Sequence, residues 1–226
     1  MPFLGLAARV LEIRERVAAA VQRGGHGQQV VLVAVTKTYG PEAVVAAWEA
    51  GVTSVGENRV QEAVDKMEHV QVPVAWHLIG HLQRNKARHA LRFALVHSVD
   101  STRLAQALAH EGVARGAPVP VLIQMNVSGE GTKGGFAPGE LPAVAEQLGS
   151  LGGLRVDGVM TMAPFDASAE VLRSTFQGAR QARQVLQSAG LPAQQLSMGM
   201  SGDFEIAVEE GATMIRLGTI LFGVRA

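Results

Sequence analysis

The stretch VVLVAVTKT, residues 30–38, decides how the rest of the chain is read. Six successive apolar residues, Val30 to Val35, leave no polar alternation, so both faces of this strand are covered, as in the parallel sheets of α/β proteins. The run breaks at Thr36-Lys37-Thr38. Pro41 then opens a helical pattern that stops at Gly51.

The same succession of β-branched run, turn and helical stretch recurs along the chain. Strands are expected at 30–36, 54–55, 75–79, 95–98, 119–126, 156–160, 195–198 and 213–216. Helices are expected at 41–50, 57–69, 83–93, 101–115, 138–148, 167–189 and 202–210. Ser101, and Asp166 or Ser168, read as N-caps, and Gly190 and Gly211 as helix stops. Repeats of about 25 residues suit an α/β fold of one domain over residues 1–226, a (β/α)8 TIM-like barrel. A doubly wound open sheet is the alternative. Ahead of the first strand, an additional N-terminal amphipathic helix is expected, with Leu4, Leu6, Ala7, Val10, Leu11 and Val17 on its inner side. The GGHG stretch, residues 24–27, joins it to the barrel.

Composition narrows the function. With 47% hydrophobic and 18% charged residues, the 226-residue chain can build a sizeable core, which excludes a disordered chain. Lys+Arg and Asp+Glu are both 20, so no basic excess exists for a nucleic-acid partner. The lack of cysteine excludes disulfides, thiolate metal sites and cysteine nucleophiles. Arg9, Glu12, Arg14 and Glu15 interrupt any signal-peptide core, and no apolar run approaches the ~20 residues of a membrane span. A cytoplasmic protein without a membrane partner is therefore expected.

In such a barrel the chemistry sits at the C-terminal ends of the strands. Lys37 closes the first strand. Its plain reading is an amine snorkelling into water. Its functional reading is an amine desolvated in the barrel mouth, with its pKa lowered by burial and a nearby cation, and available for Schiff-base formation. Arg216, on the adjoining eighth strand, is a candidate for that cation, and a buried arginine requires a partner. The segments SMGMSGDF (197–204) and IRLGTILFG (215–223) bring glycines and hydroxyls to neighbouring strand exits, the place of a barrel phosphate site. Gly202, Gly218 and Thr219 offer N–H groups there, and Ser201 and Thr219 offer hydroxyls. Ordinary turn chemistry is the alternative for either loop alone. His77 and His81 are four apart across Gly80 in a strand, which does not suit helical metal ligation, and no metal is expected. The Gly-rich loop SGEGTKGGF (128–136) lacks Walker spacing and reads as a flap over the mouth or a surface loop. Trp76, Met160, Met162, Met198 and Met200 read as core, or as a wall for a flat ring.

Eight segments together carry a resemblance: AVTKT (34–38), GENRVQEA (56–63), WHLIGHLQRNK (76–86), HSVDS (97–101), NVSGEGTKGGF (126–136), GVMTMAP (158–164), SMGMSGDFEIAVEEGAT (197–213) and IRLGTILFG (215–223). In this order, over nearly the whole chain, they resemble the pyridoxal 5′-phosphate homeostasis proteins. That family, also called the proline synthase co-transcribed family, is related to the N-terminal barrel of alanine racemase. Ile220-Leu221 and Gly131 depart from its pattern without touching a named contact.

The resemblance implies roles for particular residues. Lys37 matches the lysine that holds pyridoxal 5′-phosphate as an aldimine, and Asn58 the residue near its phenolic oxygen. Arg216 matches the arginine facing the pyridine nitrogen. Ser201, Gly218 and Thr219 match phosphate contacts, with Met200 beside them, and Lys133 matches a loop lysine affecting cofactor exchange. The implied function is cofactor binding without secure turnover, in intracellular vitamin B6 and amino-acid homeostasis. Apo pyridoxal-phosphate enzymes are the implied recipients, and the protein itself is expected to be a monomer or weak dimer. The alternative is a pyridoxal-phosphate enzyme such as an amino-acid racemase. That reading lacks an evident second base, because Tyr39, the single tyrosine, lies just beyond Lys37. From the residues alone, a Schiff-base aldolase acting on a phosphosugar also stands, with Glu57 as its proton shuttle.

Overall fold

The computed structural model describes residues 3–130 and 134–223. Eight parallel strands close into a barrel in sequence order. They are β1 (Val31–Val35), β2 (Ser54–Glu57), β3 (Ala75–Leu78), β4 (Leu95–Val99), β5 (Val119–Met125), β6 (Leu154–Thr161), β7 (Gln195–Ser197) and β8 (Met214–Leu217). The seam is the β1–β8 pairing, with Val33 opposite Arg216. The expected (β/α)8 fold is the observed one, and the open-sheet alternative is excluded by this closure.

Helices cover the outside: α1 (Leu6–Gly24), α2 (Pro41–Glu49), α3 (Val60–His69), α4 (Thr102–Arg115), α5 (Leu141–Gly149), α6 (Ala169–Ser188), α7 (Phe204–Glu209) and α8 (Thr219–Phe222). Their cores follow helical spacing. In α6, Leu172, Phe176, Ala179 and Leu186 line the inner face, and burying a side chain the size of Phe176 contributes about 1.5–3 kcal/mol. Ser101 Oγ accepts the Leu104 N–H and Ser168 Oγ the Val171 N–H, so Ser168 rather than Asp166 caps α6.

Several local expectations shift. In α1 the buried stripe is Leu6, Val10, Ile13 and Ala20. Leu4 and Leu11 are 84% and 61% exposed, because position 11 falls off a stripe that advances by three and four residues. Helix α3 begins at Val60 rather than at Glu57, which stays in β2 opposite Leu78. The segment Arg84–Arg92 is a 3₁₀ helix. Its buried residues, Ala87 and Ala90, are three apart, which is the 3₁₀ repeat. The short α8 was not anticipated.

Strand alternation sorts the side chains into two sets. His97 on β4 bonds Ser197 on β7 across the barrel, so that set points inward. Leu95, Leu122, Met160 and Met214, with Met162 packed on them, form a separate apolar cluster on the same inward set. The pairings Val33–Ser54 and Val33–Arg216 put Val33, Ser54 and Arg216 on the inward side as well. The inward set continues through Val35 and Gly56, with Lys37 and Asn58 two residues further along the chain, whereas Glu57 is turned to Lys66 on α3.

Candidate functional site

The inward residues at the strand exits come from opposite ends of the chain. Lys37 follows β1 by two residues and is partly buried, and Thr38 after it takes a left-handed φ of 66°. Asn58 leaves β2, and Gly80 leaves β3 against it. A Cβ on Gly80 would stand 2.4 Å from the Asn58 carbonyl oxygen, so only glycine lets these exits approach this closely. Arg216 lies on β8 opposite Val33, which precedes Lys37 by four residues.

Arg216 is fully enclosed. Burial lowers its pKa to about 10, with Asp203 acting the other way. Its guanidinium donates to Ser197 Oγ at 2.7 Å and to the Thr161 carbonyl at 3.0 Å. Its hydrogen bonds go to two neutral oxygens, and the Asp203 carboxylate acts on it through space. A cation held this way suits a ligand that brings an acceptor or negative charge to the barrel mouth.

The loops after β7 and β8 are knit together. Ser201 Oγ accepts the Ile220 N–H at 3.4 Å, and the Arg216 N–H reaches the Gly199 carbonyl at 3.0 Å. Ser201 keeps its own O–H to donate. Met200 is 37% exposed, Thr219 is exposed, and a Cβ on Gly202 would meet nothing within 4 Å. Gly218 is partly buried against Val35. The structure therefore brings Met200, Ser201, Gly218 and Thr219 to the adjoining exits of β7 and β8, and β8 pairs with β1.

Several residues at the site escape a reading of the sequence. His77 Nδ1 lies 2.9 Å from His97 Nε2, and His97 Nδ1 lies 2.9 Å from Ser197 Oγ. Burial lowers the His77 pKa to about 4 and pushes His97 well down, so both rings are neutral. His77 is a core histidine, as its strand position suggested. Glu57 is buried on the outer side, away from the barrel interior. It accepts from Thr36 Oγ1 at 2.6 Å and from Lys66 Nζ at 2.8 Å, which removes the aldolase reading's proton shuttle. The sequence does not signal Lys66. Its pairing with Glu62 one turn earlier looks like a surface ion pair, yet Lys66 is 5% exposed.

The Gly-rich loop is tied to β5 at both ends: Gln124 Nε2 donates to the Gly134 carbonyl and Asn126 Nδ2 to the Glu130 carbonyl. Lys133 lies outside the described residues. Trp76 and Met162 are partly buried, whereas Met160 and Met198 are fully so.

A closed parallel barrel with a lysine just after the first strand and hydroxyl- and glycine-bearing loops after the last two defines a class, and the comparisons agree with it. Residues 10–226 match the family described as alanine racemase, N-terminal domain. The pyridoxal phosphate homeostasis protein of Aquifex aeolicus (strain VF5) is 39% identical over 96% of this chain and 97% of its own length. That of Escherichia coli (strain K12) is 38% identical over 97% of each. PipY of Synechococcus elongatus PCC7942, solved with PLP bound, superposes with a TM-score of 0.85 at 37% identity, over 96% of this chain and all of that one. Alanine racemase from Corynebacterium glutamicum shares the fold, with a TM-score of 0.73 at 19% identity, over 98% of this chain and 60% of that one. The chain belongs to the pyridoxal phosphate homeostasis protein family, within the wider family of the alanine racemase N-terminal domain.

Proposed function

We propose that this chain binds pyridoxal 5′-phosphate at the mouth of its barrel, covalently through Lys37, and serves vitamin B6 and amino-acid homeostasis in the cytoplasm. The observation that carries the reading is that a partly buried lysine just after β1, a buried arginine on β8 and the hydroxyl- and glycine-bearing loops after β7 and β8 belong to three neighbouring strands. That set matches the ligand: an amine for its aldehyde, a donor for its ring and a cradle for its phosphate. Its relatives' names and the PLP-bound PipY structure support the same choice.

When bound, the cofactor supplies an aldehyde that condenses with a lysine amine, releasing one water. The chain's residues do the rest. Lys37 Nζ would be the nucleophile, and Asn58 would serve the phenolic oxygen of the ring. Arg216 can only donate, so facing the pyridine nitrogen it would keep that nitrogen an acceptor and the ring a poor electron sink. Ser201 and Thr219 would hold the phosphate through their hydroxyls, Gly218 would let the backbone approach it, and Met200 would stand beside them. Tyr39 packs edge-on against Phe3, with ring centroids 5.7 Å apart, and tilted against Phe222 at 5.2 Å. This aromatic packing explains its presence without a role as second base, which favours holding the cofactor over racemising amino acids. Apo enzymes that need the cofactor are the proposed recipients, and residues 1–226 act as one domain, as a monomer or weak dimer.

The test is a visible spectrum of the loaded protein before and after borohydride reduction, followed by peptide mapping. The pyridoxyl group should map to Lys37, and Lys37→Ala should abolish it. A pyridoxyl group mainly on Lys86 or Lys133 would refute the assignment.

A further inference from the structure

A buried charged cluster adjoins the backbone of Lys37 on the helix side of β1 and β2. Lys66 on α3 extends from the helix layer to the strand exits and gives all three of its protons to protein acceptors. These are the Thr36 carbonyl, Glu57 Oε1 and Glu62 Oε1, each at 2.8 Å. Thr36 Oγ1 donates to the same Glu57 oxygen at 2.6 Å, and Glu62 Oε1 also accepts the Thr38 N–H. The Thr36 carbonyl belongs to the peptide group before the Lys37 Cα, and the Thr38 N–H to the peptide group after it. One ammonium therefore holds both flanking peptide groups, the first directly and the second through Glu62. Bonds to the peptide groups on both sides restrain the φ and ψ of Lys37, the two soft backbone dihedrals of that residue.

This arrangement is costly. Glu57 is 0% exposed, and burial raises its pKa despite Lys66 and Thr36. Its second oxygen, Oε2, is buried with no partner. Well-packed apolar residues would usually serve helix docking as well or better than buried charges. Thr38 is moreover a β-branched residue in the left-handed region, a conformation that persists only where its surroundings impose it. A cluster serving only to seat α3 has no need of bonds to these two peptide groups.

We propose that Lys66, with Glu57 and Glu62, is the positioning group for Lys37: from the outer side of the barrel it fixes the backbone on both sides of that residue and so sets where its amine projects. The proposal rests on the reading of Lys37 as the covalent attachment point.

The test uses Lys66→Met combined with Glu57→Gln, so that neither charge is left alone in the core, and separately Glu62→Gln, whose side chain is 24% exposed. Two quantities are measured on cofactor-stripped full-length protein. One is the rate at which added pyridoxal 5′-phosphate becomes borohydride-trapped on Lys37. The other is the affinity for pyridoxine 5′-phosphate, which has an alcohol in place of the aldehyde and cannot bond to lysine. A displaced amine should load about 10- to 100-fold more slowly in the double variant, and less slowly in Glu62→Gln. Pyridoxine 5′-phosphate should bind both variants as it binds wild type. Unchanged loading, or parallel losses for both ligands, would overturn the proposal. If the double variant does not fold, wild-type loading by Glu62→Gln alone would do so. A wild type that traps nothing on Lys37 would instead overturn the function reading, so the two failures are told apart.

Discussion

Arg216 donates to Ser197 Oγ at 2.7 Å, and that contact orders the hydrogens of two buried histidines. The guanidinium has no acceptor to offer, so the serine's own proton goes to His97 Nδ1. His97 then carries its proton on Nε2 and donates to His77 Nδ1. The chain runs in one direction from the arginine, and each ring in it is neutral.

Acid stability follows from that neutrality. The folded His77 pKa, about 4, lies below the ordinary 6.5, and His97 is lowered as well. Below pH 6.5 the unfolded chain takes up protons that the folded chain refuses. Stability is therefore full above about 6.5 and falls between 6.5 and 4, by up to about 3 kcal/mol for His77 alone. Glu57, raised by burial, works in the opposite sense in the lower part of that window. Urea unfolding at a series of pH values should show the decline, and a His77→Gln/His97→Gln variant should flatten it. An equally steep profile in the double variant would dismiss the histidines as its cause.

The loops after β7 and β8 should distinguish the phosphorylated cofactor from its parent. Ser201→Ala together with Thr219→Val should weaken pyridoxal 5′-phosphate binding by about 1.5–3 kcal/mol for each hydrogen bond lost to a charged acceptor. Binding of unphosphorylated pyridoxal should barely change. Calorimetric titration with both ligands decides the matter, and equal losses would show that these hydroxyls do not read the phosphate.

Gly80→Ala probes the close approach of the second and third strand exits. The new methyl would stand 2.4 Å from the Asn58 carbonyl oxygen, a backbone atom that can yield only by moving Asn58. A loss of about 1–3 kcal/mol is expected, together with weaker retention of the cofactor. Gly202→Ala, which meets nothing within 4 Å, is the control for stability. Equal melting temperatures for the two variants would contradict the contact.

Much of this architecture is legible in the chain, for identifiable reasons. The runs at 30–36 and 119–126 reveal a parallel strand because both faces are buried, and the glycines after them reveal the exits. Boundaries fail where one residue serves two elements: Glu57 has a helix former's composition but finishes β2, and α3 waits until Val60. The 3₁₀ segment Arg84–Arg92 fails for another reason, because a buried pair three apart fits either helix type. At the site, Lys37 and Arg216 stand out as charges closing apolar runs. Lys66 does not, because Glu62 one turn earlier explains it away as a surface pair. Only the outward turn of Glu57, set by strand parity, shows that α3 must answer a charge buried in the barrel wall. His97 is hidden similarly: VHSV marks a strand, but its partner Ser197 is 100 residues away.

The β1–β8 seam also governs how the protein is made. The side of β1 that will meet β8 has no strand beside it until Met214 emerges, about 180 residues later. At a synthesis rate of about 5–20 residues per second, that edge waits roughly 10 to 40 seconds. VLVAV is apolar, β-branched and uncharged, the kind of segment that pairs with other chains when its edge is open. The strand that leads into Lys37 is therefore the one most exposed to misassociation on the ribosome. Any truncation before β8 leaves this edge open for good, so such fragments should be recovered as aggregates rather than as folded part-barrels.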